Sequence, residues 1–187
     1  MLVGLMGYAR SGKNTVANVL VRKYGFAEMA FADALREMAL GINPIVDFLP
    51  SGVYRYQNAI SDYGYDEAKS QFPEVREFLQ RLGTEGVRDV LGPDTWVDLV
   101  ERRWHADGQH DLVITDVRFP NEYEMVRRNG GVLARVKRPE VQATNRHISE
   151  SALDSHDSEF VFWNDGTIAD LENKVDVLLK RFGYDLD

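Results

Sequence analysis

The sequence predicts a three-layer α/β fold in which a mostly parallel sheet is flanked by helices. The first observation is the apolar run Leu2 to Met6, which leads through a glycine-bounded loop into the helix-like segment Asn14 to Tyr24. The second is the alternation of strand-like and helix-like segments along the rest of the chain. The third is Leu112 to Ile114, which is typical of a buried parallel strand. Together they indicate a P-loop NTPase-type fold.

The first loop reads GYARSGKNT and carries the strongest functional signal. Gly7 and Gly12 let the backbone N–H groups approach phosphate oxygens, and the following helix adds its dipole. Lys13 supplies a positive charge. The usual pattern has Ser or Thr directly after the lysine to contact magnesium, whereas here Asn14 precedes the hydroxyl of Thr15. The alternative is a glycine-rich turn before an ordinary helix, but the position between strand and helix favours nucleotide binding.

Composition limits the class of protein. A chain of 187 residues fits one domain with a sizeable core, and the absence of cysteine excludes disulfides and thiolate metal sites. No apolar run approaches the ~20 residues of a membrane span, and the N-terminus lacks a secretory pattern, so we expect a cytoplasmic protein without a membrane partner. The net charge of −8 disfavours a nucleic-acid polymer as partner. The oligomeric state, including a homodimer, is left open.

Between the loop and the middle of the chain the pattern is less regular. Asp33 is expected to cap a helix from Ala34 to Leu40 that ends at Gly41. The stretch 44–66 contains Pro50, two glycines and four tyrosines, and is expected to be an irregular loop. It could be functional or mobile, or its tyrosines could pack at the edge of the core; the sequence leaves both readings open.

The second half of the chain predicts four helices and three strands. A helix over Pro73 to Leu91 is expected to be interrupted at Gly83-Thr84, and Trp96 is expected in the core. The remaining predictions are helices at 95–104, 120–129 and 167–182, strands at 112–114, 132–136 and 160–163, and a polar flap at about 138–152.

A carboxylate and a guanidinium follow the strand at 112–114. In a phosphate-loop fold ligands gather at the carboxyl ends of the strands, so Asp116 is placed to hold magnesium or to accept a hydrogen bond from substrate. Arg118 is placed to clamp a phosphate with its planar fork. The alternative is that Asp116 only caps the helix that begins at Pro120.

Several motifs, taken in order, resemble one family. They are GYARSGKNT, FADALREMA, QRLGTEGVRD followed by TWVDL, TDVRFPNE, KRP with HISE, and NDGT. From residue 1 to about residue 180 this order resembles the deoxynucleoside monophosphate kinases of tailed phages. The resemblance implies one kinase domain over 1–187, with an acceptor-binding region at about 33–104 and a mobile flap at about 138–152. It also implies transfer of the γ-phosphate of ATP, with Mg²⁺, to deoxynucleoside 5′-monophosphates.

The resemblance assigns roles residue by residue. On the ATP side it gives the loop residues, two flap arginines and the turn beside adenine: Arg10, Ser11, Gly12, Lys13, Asn14, Thr15, Arg138, Arg146, Asp165 and Gly166. On the acceptor side it gives Arg36, Arg76, Gly83, Thr84, Trp96, Asp116, Arg118 and Glu122. The expected catalytic residues are Lys13, Asp116 and Arg118, and the expected magnesium ligand is Thr15. Residues 44–70 depart from the family pattern, which leaves base specificity open.

Two alternatives remain at this stage. One is another small-molecule kinase, such as a dephospho-coenzyme A kinase, with a different acceptor. The other is a non-catalytic nucleotide-binding module, which only Asn14 in the magnesium-side position supports. The acceptor-side set Arg36, Arg76 and Trp96 favours a nucleotide kinase.

Overall fold

The chain forms two compact units, which we call the sheet unit and the helical unit. The computed structural model describes residues 1–139, 141 and 152–185. The sheet unit comprises Met1–Phe31 and the chain from Val100 onward, and the helical unit comprises Ala32–Leu99. The prediction that 1–187 is a single kinase domain stays a prediction.

The sheet unit is built on five parallel strands. They are β1 (Leu2–Met6), β2 (Ala27–Met29), β5 (Leu112–Ile114), β6 (Val132–Lys137) and β7 (Phe160–Trp163), with the intervening β3 and β4 in the helical unit. Their order is β2-β5-β1-β6-β7 and every pairing is parallel. Val3 of the central strand pairs with Val113 on one side and with Val132 on the other. The predicted α/β fold with a mostly parallel sheet is confirmed.

Helices flank this sheet and bury apolar stripes against it. They are α1 (Lys13–Tyr24), α7 (Pro120–Arg128) and α8 (Ile168–Arg181), and the end of α6 (Thr95–Ala106) belongs to the same unit. Val16 and Leu20 of α1 lie in one buried core with Val175 of α8, at the spacing that an amphipathic helix presents. Helix α1 ends at Gly25, which has φ +72°, and the Thr167 side chain caps α8 by accepting from the Asp170 N–H.

The helical unit contains short helices and one hairpin. Its elements are α2 (Ala32–Ile42), β3 (Ile45–Leu49), β4 (Gly52–Arg55), α3 (Tyr56–Gln71), α4 (Pro73–Arg81), a π-helical segment (Leu82–Arg88), α5 (Asp89–Leu91) and the start of α6. Strands β3 and β4 pair antiparallel. Helix α3 is kinked at Gly64, whose backbone has φ +72° and ψ 172°.

Two predictions in this region were wrong. The stretch 44–66 is a hairpin followed by a helix rather than a loop, and its tyrosines pack: Tyr56 is fully buried, and Tyr54 and Tyr65 lie against the same core. Asp33 lies in the first turn of α2 instead of capping it, and Gly41 lies inside that helix. A glycine inside a helix costs only about 1 kcal/mol, so tertiary packing overrides its tendency to end the helix.

The interruption predicted at Gly83-Thr84 is a π-helical segment and not a break. Gly83 is buried there, and a Cβ on it would lie 3.1 Å from a methyl group of Leu35. The indole N–H of Trp96 donates to the Gly83 carbonyl at 3.1 Å. This bond satisfies the polar group of the buried Trp96 side chain. Within the described ranges, none of the helices combines the length and the apolar character of a membrane span.

Candidate functional site

The loop between β1 and α1 can be formed only with glycine at two positions. Gly7 has φ +134° and Gly12 has φ +108°. A Cβ on Gly7 would lie 2.3 Å from the carbonyl oxygen of Val136, and one on Gly12 would lie 2.3 Å from the side-chain nitrogen of Asn164. Both distances are shorter than any real contact, so the close approach of β6 and of the turn after β7 fixes the shape of this loop.

Polar contacts inside the loop hold its lysine. The ammonium of Lys13 donates to the carbonyls of Gly7 and Tyr8, at 2.8 Å each. Asn164 donates from its side chain to the carbonyl of Ser11 at 2.8 Å. The Ser11 hydroxyl is buried, and no described group makes a hydrogen bond to it. A cation, a buried hydroxyl and the first N–H groups of α1 thus converge at one end of β1, which is the arrangement that binds anions.

Asn14 and Thr15, the two residues of α1 that follow Lys13, differ in exposure. Thr15 is half-buried and Asn14 is exposed. The Thr15 N–H donates to the carbonyl of Gly12 at 3.1 Å, which begins the helix directly at the loop.

The carboxylates of Asp116 and Glu122, which follow β5 in the chain, accept hydrogen bonds from backbone N–H groups. Asp116 is 7% exposed, and its carboxylate accepts from the N–H of Phe31 at 2.7 Å. The Glu122 carboxylate accepts from the N–H groups of Arg118 and Phe119 at 2.7 and 3.0 Å. Helix α7 is therefore capped at Phe119 with the help of Glu122, and the alternative that Asp116 serves as its cap is wrong. Glu122, 2% exposed, fixes the backbone from which the Arg118 side chain projects.

A cavity of about 430 Å³ lies beside the loop, within the size range of small-molecule sites. Gly7 and Ser11 line one side of it, and Asp154 is an acid in its wall. The other charged residues in the wall are all cationic: Arg118, Arg135, Lys137 and Arg138. Such a surplus of positive charge suits a polyanionic ligand.

Contacts around this cavity order its wall. The guanidinium of Arg135 donates to the carbonyls of Leu153 and His156, at 2.7 and 2.9 Å. The Tyr8 hydroxyl donates to Asp154 at 3.1 Å. Trp163 is 49% exposed although it lines the cavity, and the Lys137 ammonium lies 5.3 Å from the centre of its ring.

The turn after β7 is also anchored. The Lys174 ammonium donates to the carboxylate of Asp165 at 3.0 Å, and this hydrogen bond lowers the pKa of Asp165. Gly166 packs against the capping carboxylate of Asp170, which a Cβ would approach to 2.5 Å. Both predicted adenine-side residues are exposed.

In the helical unit, Arg36 is surrounded by side chains of α2 and α3. Its guanidinium donates to Asp33 at 3.0 Å and lies 5.2 Å from the centre of the Tyr65 ring. Tyr56 lies nearby: burial, with a smaller contribution from Tyr65, raises its pKa to about 12, and the charge of Arg36 opposes the increase. Among the other predicted acceptor residues, Gly83 is bonded to Trp96, Thr84 is half-buried and Arg76 is exposed.

Some of the predicted site residues fall outside the part of the chain that the structure describes. Arg146 and most of the predicted flap at 138–152 fall outside the described residues. Arg138, at the start of that range, is described; it is exposed and lines the cavity.

Comparison with known proteins identifies the family. Residues 53–175 match the family model of deoxynucleotide monophosphate kinase. A putative deoxynucleotide monophosphate kinase of Acanthamoeba polyphaga mimivirus is 30% identical over 187 residues, which cover 94% of each chain. The chain belongs to the deoxynucleotide monophosphate kinase family. Its expected membership of the phage-type kinases is confirmed, since the deoxynucleoside-5′-monophosphate kinase of Escherichia phage T5 is 28% identical, with 68% of this chain and 72% of that protein covered.

Solved structures agree with the fold. The dephospho-CoA kinase from Campylobacter jejuni superposes with a TM-score of 0.51 at 12% identity, covering 97% of this chain and 96% of that one. The structure of TT1252 from Thermus thermophilus gives 0.50 at 17% identity, with 97% of both chains covered. At these identities the likeness shows the P-loop kinase fold alone.

Several residues of the cavity wall in this kinase were not among the site residues predicted from the sequence. They are Tyr8, Arg135, Lys137, Asp154 and Trp163. One signal could have revealed two of them: Arg135 and Lys137 are two residues apart at the end of a predicted strand, on either side of a buried valine, and therefore share one face. The others depend on which strand ends are neighbours in the sheet.

Proposed function

We propose that the chain transfers the γ-phosphate of ATP to deoxynucleoside 5′-monophosphates, with Mg²⁺, and releases deoxynucleoside diphosphates and ADP. The observation that carries the proposal is the loop after β1, with two glycines in left-handed geometry, Lys13 held at its mouth and a cationic cavity beside it. Phosphoryl transfer needs positioning and charge neutralisation more than covalent chemistry, and this site offers both.

The donor side lies in the sheet unit. The N–H groups that open α1 bind the phosphates of ATP, and Lys13 exchanges its two loop carbonyls for β- and γ-phosphate oxygens. The loop residues Arg10 to Thr15 surround the triphosphate, while Arg138, Arg146 and the turn at Asp165-Gly166 complete the ATP site.

Magnesium fits the oxygen groups near the loop. The half-buried Thr15 hydroxyl and the buried Asp116 carboxylate are hard oxygen donors of the kind this ion prefers. When bound, the ion would neutralise charge on the β- and γ-phosphates.

The acceptor is bound by arginines and by the residues around Trp96. Arg36, Arg76 and Arg118 hold the monophosphate, while Gly83, Thr84 and Trp96 contact its sugar and base. Glu122 acts through the backbone of Arg118, to which it is bonded. An oxygen of the acceptor phosphate attacks the γ-phosphorus, the bond to the β,γ-bridging oxygen breaks, and ADP leaves. Lys13 and Arg118 offset the negative charge that gathers at the transferring group.

A coupled ADP-release assay tests this function and separates it from the alternatives. The acceptors are dAMP, dGMP, dCMP, dTMP, the matching ribonucleotides, dephospho-coenzyme A, and a blank without acceptor. We expect turnover with deoxynucleoside monophosphates and none with dephospho-coenzyme A or the blank, and the pattern across the nucleotides gives the base preference and shows whether ribonucleotides are accepted. Turnover with dephospho-coenzyme A alone would support the other kinase, and ATP binding without any turnover would support the non-catalytic module.

Variants of α1 provide the control for this assay. Lys13→Ala should abolish turnover, because removing an electrostatic contact of this kind costs about 3 kcal/mol or more at the transition state. Arg22→Ala removes an exposed cation from the same helix and should leave turnover unchanged. The same function implies a cytoplasmic site of action, and light scattering after size exclusion would test whether the chain is a homodimer.

A further inference from the structure

Arg36 of the helical unit is held on two sides. Its guanidinium makes an ion pair with Asp33, three residues earlier on α2, at 3.0 Å. Its other restraint is the face of Tyr65 on α3, at 5.2 Å from the ring centre. Both partners of the ion pair are more than a third exposed, so the pair alone is a weak restraint.

Tyr65 reaches this position because α3 is kinked directly before it. Gly64 has φ +72° and ψ 172°, which interrupts the helix, and a Cβ built on Gly64 would meet nothing within 4 Å. The left-handed backbone therefore does not serve close packing at Gly64. Its effect is to set the direction of the chain at Tyr65, whose ring packs partly buried against the core that contains Tyr56.

A preorganised arginine binds an anion better than a mobile one. The arginine side chain carries about 2 kcal/mol of rotamer entropy, and immobilising such a side chain on binding costs roughly 0.5–1.5 kcal/mol. Stacking on an aromatic face restrains the guanidinium plane while leaving its N–H groups at the edge. Within the described residues the guanidinium of Arg36 makes one N–H···O bond, to Asp33, although it has five donors.

We propose that Tyr65 is a positioning residue, whose ring holds the Arg36 guanidinium in the orientation that binds the phosphate of the deoxynucleoside monophosphate. This inference rests on the proposed function, in which Arg36 is an acceptor-phosphate ligand. The stretch 44–66, with its four tyrosines, thereby contributes to acceptor affinity through the kink at Gly64 and the ring of Tyr65. The aromatic face is the required feature, and the hydroxyl of Tyr65 is not.

The test is a double-mutant cycle between Tyr65 and Arg36. KM for the preferred monophosphate is measured at saturating ATP, KM for ATP at saturating monophosphate, and the melting temperature of each variant alongside. Tyr65→Leu keeps an apolar side chain in the core but removes the aromatic face, and Tyr65→Phe keeps the face. Tyr65→Leu should raise KM for the monophosphate about fivefold, the equivalent of ~1 kcal/mol, with KM for ATP unchanged. Tyr65→Phe should restore the wild-type value.

The Arg36→Ala background distinguishes the possible failures. There Tyr65→Leu should have no further effect, because the residue through which it acts is gone. An equal rise of KM in both backgrounds, or no rise with Tyr65→Leu while Arg36→Ala raises KM, would overturn the positioning role and leave the proposed function intact. If Arg36→Ala itself leaves KM for the monophosphate unchanged, the assignment of Arg36 to the acceptor phosphate is wrong and the inference is wrong with it. Tyr65→Met replaces Tyr65→Leu if the leucine variant does not fold.

Discussion

Arg118 combines an exposed side chain with a fixed backbone. The Glu122 carboxylate accepts from the Arg118 N–H, and the Arg118 side chain lines the same cavity as Gly7 and Ser11. A guanidinium grips two phosphate oxygens at once, which an ammonium cannot do. We expect Arg118→Lys to lower kcat/KM for the monophosphate at least tenfold, by about 1.4 kcal/mol or more, with little change in ATP affinity.

Separate calorimetric titrations with ATP and with monophosphate check this expectation for Arg118. The exposed Arg22→Lys change provides the matched control. If ATP binding is lost and monophosphate binding survives, Arg118 belongs to the donor side, and the assignment made from its sequence motif is reversed.

Thr15 and Asn14 compete for the magnesium side of the donor site. Thr15 is half-buried at the loop and offers a hydroxyl, while Asn14 is exposed and offers a neutral amide. Thr15→Ala should therefore raise the magnesium concentration needed for half-maximal turnover several-fold, and Asn14→Ala should not. A magnesium titration of both variants decides, and a raised requirement only in Asn14→Ala would assign the ligand role to the amide.

At the residue scale, the candidate site residues that could be predicted from the sequence are those that lie close together in the chain. The loop residues follow from glycine and lysine spacing, and Asp116 with Arg118 from their position after a buried strand. Tyr8 and Trp163 could not be found in this way, because their shared cavity depends on the adjacency of β1, β6 and β7, and β1 is more than a hundred residues from the other two strands in the chain. The restraint of Arg36 by Tyr65 likewise depends on how α3 packs.

The phosphate loop is an element whose shape depends on Gly7. In Gly7→Ala the new methyl group would collide with the backbone of β6, 2.3 Å from the Val136 carbonyl oxygen, in addition to the strain of a positive φ. We expect loss of most ATP affinity, at least a tenfold rise in Kd. Gly25→Ala introduces a similar positive-φ strain at the other end of α1, about 1–2 kcal/mol, but meets nothing within 4 Å. Its Kd for ATP should equal that of the wild type; equal losses in both variants would argue against the close approach to β6.

An ion pair joins α6 to α7 in the sheet unit. Arg128 donates to Glu101 at 2.5 and 3.3 Å, Asn129 donates at 2.6 Å, and the Arg128 bonds hold the pKa of Glu101 below its ordinary value of 4.5. A lowered folded-state pKa stabilises the fold above pH 4.5, and this stabilisation is lost as the pH falls through the folded pKa.

Glu101→Gln should therefore lower the free energy of unfolding by about 1 kcal/mol at neutral pH, with the difference closing in acid below pH 4.5. Urea unfolding of the wild type and of Glu101→Gln, repeated about every pH unit from pH 3 to pH 7, measures this difference in the free energy of unfolding. A difference that persists unchanged at the acid end would show that the glutamine disturbs packing and not the ion pair.

At the element scale, periodicity found the strands and helices of the sheet unit, where core burial and local pattern agree. It missed the hairpin of the helical unit, since β3 and β4 expose apolar residues such as Phe48 and Val53 and so lack a clean alternation. It also missed α3, because Gly64 interrupts the helical pattern at the kink. The π-helical segment was expected only as an interruption, because the Gly83-Thr84 pair in the sequence does not distinguish a π-helical turn from a break.

For the molecule as a whole, sequence motifs and family membership point to one reaction. The matched residues 53–175 include the helical unit's Trp96 and the sheet unit's Asp116 and Arg118. The P-loop fold by itself is shared with kinases that have other acceptors. Residues 44–70 depart from the family pattern, so the base preference has to be measured.

The most direct test of the central claim is to follow the phosphoryl group itself. The enzyme is incubated with ATP labelled in the γ-phosphate, magnesium and one deoxynucleoside monophosphate, and the products are separated by anion exchange. The account predicts that the label appears in the β-phosphate of the deoxynucleoside diphosphate, in a one-to-one ratio with ADP, and that Lys13→Ala yields none. Label released as inorganic phosphate at the same rate with and without the monophosphate would contradict it, since the chain would then be a hydrolase and not a nucleotide kinase.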